Sequence, residues 1–87
     1  MKVVFFGTPE FAVPTLERIA ASRHNLVAVV TQPDRPKGRG QKLTQTPIKQ
    51  IAEKFGYDIL QPESVKDSSF CRNLENFKPD LLVVVAF

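Results

Sequence analysis

Lys2-Val3-Val4-Phe5-Phe6-Gly7-Thr8-Pro9-Glu10-Phe11-Ala12-Val13-Pro14 is the stretch that decides the fold. Val3 to Phe6 are apolar without alternation. A strand that is apolar on both faces belongs in a parallel sheet covered by helices on each side. Gly7 closes the run. Thr8 then offers a cap and Pro9 a first helical position, with Ala12, Leu16, Ile19 and Ala20 recurring at helical spacing. The pattern predicts a strand, a tight turn and a helix opening at Pro9. Pro14 disturbs that helix: it either sits in the first turn of a later start or kinks the helix by removing a backbone bond.

Outward from this stretch the same grammar repeats. Asn25 to Thr31 and Leu81 to Ala86 are further apolar runs, and Tyr57 to Leu60 is a weaker one. Between them, Thr46 caps a helix that Pro47 opens, Ile48, Ile51, Ala52 and Phe55 form its apolar stripe, and Gly56 fits the left-handed position after its last turn. A third helix starts at Asp67, buries Phe70, Leu74 and Phe77, and stops before Pro79. The order is β-α-β-loop-α-β-α-β. This is the opening of an α/β fold, a Rossmann-like doubly wound parallel sheet with its first four strands and three helices only. Right-handed crossovers put the first three strands in the order 3-2-1, with the fourth beyond strand 1. A fourth strand at the sheet margin would be a hydrophobic edge, which domains normally cover, so the chain reads as a truncated half-domain.

Composition sets the class of molecule. With 43% hydrophobic and 24% charged residues, the 87-residue chain suits one small globular domain. The lone Cys71 cannot close an internal disulfide, and the longest apolar stretch, Leu81 to Phe87, is far too short to span a bilayer. The expectation is a cytoplasmic protein with no membrane partner. Charge is concentrated in one place. From Gln32 to Thr46 four cations, Arg35, Lys37, Arg39 and Lys42, face the single acid Asp34, a net of +3. That equals the whole chain's excess of twelve Lys and Arg over nine Asp and Glu, so an anionic partner is expected at this loop.

Ligands of open parallel sheets bind beyond the carboxyl ends of the strands, near the switch point between strands 1 and 4. Two segments reach that point: Gly7 to Phe11, and Ala86-Phe87. The Gly7-Thr8-Pro9 turn offers close backbone approach, a hydroxyl and amide groups at a helix start. G-x-G-x-x-G is absent after strand 1, as is a Walker-type G-x-x-x-x-G-K, so a nucleotide-binding half-sheet is disfavoured. Glu10 complements the helix dipole. Phe11 lies off the helical stripe, where it either packs on a neighbouring loop or lines an apolar pocket. Composition leaves two readings of the basic loop open: phosphate contacts, or a solvated insertion. His24 reads as a surface or capping residue and Cys71 as a small packing residue beside the third helix. Neither a metal-ligand cluster nor a triad can be assembled from this sequence.

Val4-Phe5-Phe6-Gly7-Thr8-Pro9-Glu10-Phe11-Ala12-Val13-Pro14 and Val30-Thr31-Gln32-Pro33-Asp34-Arg35-Pro36-Lys37-Gly38-Arg39-Gly40 together closely resemble the N-terminus of the methionyl-tRNA formyltransferase family. Pro47-Ile48-Lys49, Leu60-Gln61-Pro62 and Lys78-Pro79-Asp80-Leu81-Leu82-Val83-Val84-Val85-Ala86 fit the same family in order and spacing, so the likeness covers the whole chain. Formyltransferases acting on glycinamide ribonucleotide or amino sugars share the fold but lack these two long motifs in this form.

The resemblance implies that residues 1–87 are the N-terminal portion of a formyltransferase catalytic domain with a basic loop inserted over 32–46. The implied reaction moves a formyl group from 10-formyltetrahydrofolate to the α-amino group of methionyl initiator tRNA, without a metal. Acyl transfer to an amine needs a general base and donors for a tetrahedral oxyanion. The family uses an Asn, a His and an Asp in motifs that follow the fourth strand, in the C-terminal part of the same enzyme. No catalytic residue is therefore assigned here, His24 is not the family's catalytic histidine, and the fragment alone is expected to be inactive. Binding residues do carry over: Phe6, Gly7, Thr8 and Pro9 as the crevice floor, and Phe11 near the methionyl group. Arg35, Lys37, Arg39 and Lys42 are implied tRNA contacts. Ala86 and Phe87 stand where the folate-pocket loop begins. The alternative is a small non-catalytic RNA-binding module acting through the basic loop; interleaved aromatics for base stacking are absent from that loop.

Overall fold

The computed structural model describes residues 1–38, 40 and 42–87. Along the chain run β1 (Lys2–Gly7), a 3-10 turn (Glu10–Ala12), α1 (Val13–Ala20), β2 (Asn25–Val30), β3 (Arg35–Lys37) and β4 (Lys42–Thr44). They are followed by α2 (Pro47–Phe55), β5 (Ile59–Leu60), α3 (Ser68–Asn76) and β6 (Leu81–Val85). Four strands form one parallel sheet in the order β5-β2-β1-β6. This is the 3-2-1 order with the last strand beyond the first, as right-handed crossovers require. α1 and α2 pack on one face and α3 on the other, which makes the fold a Rossmann-like doubly wound sheet of four parallel strands.

The unalternating strands are explained by this two-sided cover. On β1, Val3 and Phe5 face α1 and α2, while Val4 and Phe6 face α3. Phe5, Leu16 and Ile48 are fully buried on the first face, and removing each from water contributes about 1.5–3 kcal/mol. On β2 the pairing slips between Val3 and Val4, whose partners are Leu26 and Ala28. Val27 is the extra residue, so Leu26 and Val29 share one face although they are three apart. β6 forms the sheet edge, anchored where Lys2 N–H donates to Asp80 Oδ2 at 2.7 Å and Asp80 N–H to Lys2 O at 2.8 Å. Leu82 and Val84 stay largely exposed on the α3 side, because α3 lies over β1 and β2.

Several expectations from sequence are corrected. α1 begins at Val13, the later of the two starts the sequence leaves open, not at Pro9, and Thr8 is not its cap. A helix starting at Pro9 would carry Pro14 in its second turn; starting at Val13 puts Pro14 at the second position, where no amide donor is needed. Residues 32–46 hold an antiparallel ribbon, β3 on β4, instead of a plain loop. Gly38 and Gly40 take φ of 75° and 80° and allow the reversal between its strands. Phe55 extends past the edge of the α2 stripe and stands edge-on to Tyr57, with ring centroids 6.3 Å apart. Cys71 is exposed, not a packing residue, because it falls on the outer side of α3 from Phe70.

Candidate functional site

Every parallel strand ends at the same rim, and there the polar residues gather. At the end of β1, Gly7 lies opposite Val85 of β6. A Cβ on Gly7 would meet the Phe5 ring at 2.7 Å and the Val85 carbonyl oxygen at 3.1 Å. The Phe5 ring is fully buried and cannot give way cheaply, so any larger residue overpacks the seam between the two central strands, at about 1–3 kcal/mol. Thr8 follows. Its hydroxyl oxygen accepts from Gln32 N–H at 3.3 Å and lies 3.5 Å from the Phe87 carbonyl oxygen. The Gln32 side-chain amide donates to the same Phe87 oxygen at 3.2 Å. The switch-point segments, Gly7–Pro9 and Ala86–Phe87, are thus joined through Thr8 and Gln32. Ala86 takes φ of 50°, a conformation that costs a non-glycine residue about 1–3 kcal/mol and turns the chain toward Gln32.

The aromatic candidates part ways. Phe6 points into the α3-side core, edge-on to Phe70 at 6.3 Å and to Phe87 at 5.6 Å, so it offers the rim its backbone. Phe11 is 69% exposed on the 3-10 turn, where its ring faces solvent. Pro9 is half-buried between them and extended, with ψ of 166°.

The basic ribbon rises from this rim. Arg35 pairs with Thr44 and Lys37 with Lys42. Residues two apart on a strand, and residues paired across the ribbon, share a face, so Arg35 and Lys42 lie on one face and Pro36 and Leu43 on the other. Arg39 lies outside the described residues. Arg35 Nη2 donates to Gln32 Oε1 at 3.2 Å, which links the ribbon to the residue that bridges β1 and β6. At the ribbon's root Thr31, fully buried, and Thr46 share a hydroxyl hydrogen bond of 2.7 Å, and Thr46 also caps α2 by accepting from Lys49 N–H at 3.0 Å. Asp34 accepts from Gln61 Nε2 at 2.8 Å and from Lys49 Nζ at 3.0 and 3.2 Å. Gln61's amide, then Lys49's ammonium, hold the Asp34 carboxyl below the usual carboxylate range. A cleft of about 280 Å3 at the foot of the ribbon is lined by Thr8, Gln32, Pro33, Arg35, Thr44 and Thr46, among others.

Chemically the rim offers hydroxyl, amide and guanidinium groups around a concave space, with cations on a projecting ribbon. That arrangement can bind and orient a ligand, and the one ion pair among the described residues, Asp34 with Lys49, lies at the ribbon's root. Among the described residues no three His, Cys, Asp or Glu side chains gather as metal ligands, and no helix is long and apolar enough to cross a membrane. His24 precedes β2, at the amino ends of the strands, away from the rim. Sequence reasoning overlooked Gln32, Lys49 and Gln61 as parts of the site. A signal was present: Gln32-Pro33 follows β2 after one residue, Thr31, and Gln61-Pro62 follows β5 directly, which puts a long amide side chain at the carboxyl end of each strand.

Residues 1–87 match the formyl transferase family. The chain is 51% identical to the methionyl-tRNA formyltransferase of Geobacter metallireducens and 49% identical to that of Alkaliphilus oremlandii. It is 48% identical to the methionyl-tRNA formyltransferase of Ruminiclostridium cellulolyticum. Each comparison covers 100% of this chain and 28% of the relative, so the chain spans little more than a quarter of the length of the curated relatives it matches.

Proposed function

The chain belongs to the formyl transferase family, and on that premise we propose that residues 1–87 are the N-terminal portion of the catalytic domain of a methionyl-tRNA formyltransferase. The complete enzyme would transfer a formyl group to the α-amino group of methionyl initiator tRNA. 10-Formyltetrahydrofolate supplies that group when bound. The general base and the oxyanion donors, an Asn, a His and an Asp by family resemblance, lie in the C-terminal part of the enzyme.

In this proposal the chain's own residues bind and orient. The Gly7-Thr8-Pro9 turn, with the backbone of Phe6, forms the crevice floor, where the absence of a Cβ on Gly7 leaves room for the Phe5 ring and the Val85 carbonyl. Phe11 presents an apolar ring for the methionyl side chain. Arg35, Lys37, Arg39 and Lys42 neutralise phosphates of the acceptor arm, a contact that positions the tRNA without reading its sequence. The observation that carries this function is the junction of ribbon and crevice. Gln32 holds Arg35 through its amide oxygen and Phe87, just past β6, through its amide nitrogen, while its backbone N–H binds Thr8. A tRNA held by the ribbon would therefore deliver its 3′ end to the turn.

Formylation assays test it. The complete enzyme is expected to formylate charged initiator tRNA and the isolated 87-residue chain to show no transfer. Transfer by the pure chain would overturn the division of labour proposed here. In the complete enzyme, Arg39→Ala is expected to raise the KM for charged tRNA about tenfold, the effect of losing one charge-assisted phosphate contact, with little change in folate binding. Equal losses for both substrates would remove the ribbon from the tRNA-binding role.

A further inference from the structure

The ribbon's strands bring little core of their own to fix their direction. Lys42, Leu43 and Thr44 are all exposed, and an isolated two-stranded ribbon is marginally stable at best in water. Its direction must be set at its root. There Asp34, the residue immediately before β3, receives Lys49 from the first turn of α2 and Gln61 from the end of β5. Gln61 Nε2 also donates to the Gln32 carbonyl oxygen at 3.2 Å, so one side chain grips the stem at two points. Pro33 and Pro36 flank Asp34 and Arg35 and fix φ near −65° on either side. A stem stiffened in this way passes the position of the Asp34 carboxylate on to the ribbon beyond it.

We propose that Asp34 is a positioning residue: clamped between Lys49 and Gln61, it sets the direction of the basic ribbon and thereby the affinity for the RNA substrate. This rests on the function proposed above, in which the ribbon contacts tRNA. An acid inside an RNA-binding segment is otherwise a liability, since its charge repels phosphate. Asp34 is half-buried, with both carboxylate oxygens turned to donors of the chain itself. Lys49 spends its ammonium on Asp34 and is not counted among the phosphate contacts.

The sign of one measurement separates positioning from charge. Asp34→Asn keeps the shape and removes a negative charge beside the ribbon. If charge alone mattered, tRNA would bind more tightly. Positioning predicts the opposite: in the complete enzyme the Kd for initiator tRNA rises about five- to tenfold, as expected for losing charge-assisted hydrogen bonds that pre-organise a binding element, while folate affinity holds. Gln61→Leu, which changes no charge, should weaken tRNA binding in the same direction, by about threefold. Thermal melting of each variant reports whether the protein remains folded. Arg35→Ala is measured alongside. If Arg35→Ala leaves tRNA binding untouched, the RNA contact itself fails. If Arg35→Ala weakens binding but Asp34→Asn and Gln61→Leu strengthen it or leave it alone, the clamp is overturned and the RNA contact stands. Parallel loss of tRNA and folate affinity in a folded Asp34→Asn protein also overturns the clamp.

Discussion

Two sheets stand side by side in this molecule and are held by opposite means. The four-stranded parallel sheet is stabilised by apolar burial: Val3 to Phe6 of β1 are buried, and β2 is buried from Ala28 to Val30. The two-stranded ribbon is exposed throughout β4 and is tied down at its base by Thr31–Thr46 and by Asp34 with Lys49 and Gln61. The first arrangement is non-directional and strong in sum, which suits a scaffold. The second is directional, local and cheap to disturb, which suits an element that must present cations at one angle. A strongly charged segment cannot be held by burial, because its side chains would lose more hydration than packing returns.

The largest effect should come from breaking the apolar side of this contrast. Phe5→Ala removes a fully buried ring that packs between β1 and the α1–α2 layer, and is expected to cost about 3–5 kcal/mol. A loss of that size is enough to unfold much of the population of a marginally stable protein, measured as lost far-ultraviolet signal or a collapsed urea midpoint. A loss below 1 kcal/mol would mean that the sheet is not held by burial in the way described.

Next in size is the joint between the two sheets. Thr46→Ala deletes the α2 cap and the hydroxyl partner of buried Thr31. A lost cap and an unsatisfied buried hydroxyl together predict about 1–3 kcal/mol. Thr46→Ser should recover most of it; failure of serine to do so in urea titrations would point to the methyl group rather than the hydroxyl.

The polar clamp is expected to show its contribution through pH. Asp34 has a folded-state pKa below its ordinary value of 3.8. A carboxyl depressed on folding contributes stability that is fully present above the unfolded value and is lost as pH falls through the folded one. The stability gap between the protein and Asp34→Asn should therefore be constant at neutral and mildly acidic pH, and close below about pH 4. Melting curves across that range decide it, and a gap that persists in strong acid contradicts the clamp. The smallest effect belongs to the ribbon's outer face. Leu43 is 70% exposed, so Leu43→Ser should change stability by no more than about 0.5 kcal/mol. A larger loss would show the ribbon to be packed on something.

Legibility from sequence followed the range of the forces involved. α2 could be read almost to the residue. Thr46 accepts from Lys49 N–H, Pro47 opens the helix and Gly56 takes φ of 77°, and each of these is chemistry among neighbours. The sequence leaves the start of α1 open between Pro9 and a later residue, because Thr8 is a good cap by type; its hydroxyl is taken instead by Gln32, 24 residues away. In sequence the ribbon reads as a loop because Arg35-Pro36-Lys37 has no strand-like composition, and its pairing is closed by two glycines and by the root. At the candidate site, Gly7, Thr8 and the cations were visible as motifs. The clamp was not, since Asp34, Lys49 and Gln61 meet only when the stem, α2 and β5 come to one rim.

By itself, the sequence determined the parallel sheet, the order of its strands and its two-sided cover, because apolar runs and the handedness of crossovers leave one arrangement that buries both faces. It determined the family as well, through two motifs longer than chance would supply. Only the tertiary structure decided how the basic segment is aimed. That direction comes from hydrogen bonds between residues 15 to 29 positions apart, such as Lys49 to Asp34 and Gln61 to Gln32. Bonds of a few tenths of an ångström in tolerance leave no periodic trace in a sequence. They exist once burial has brought the strand ends together.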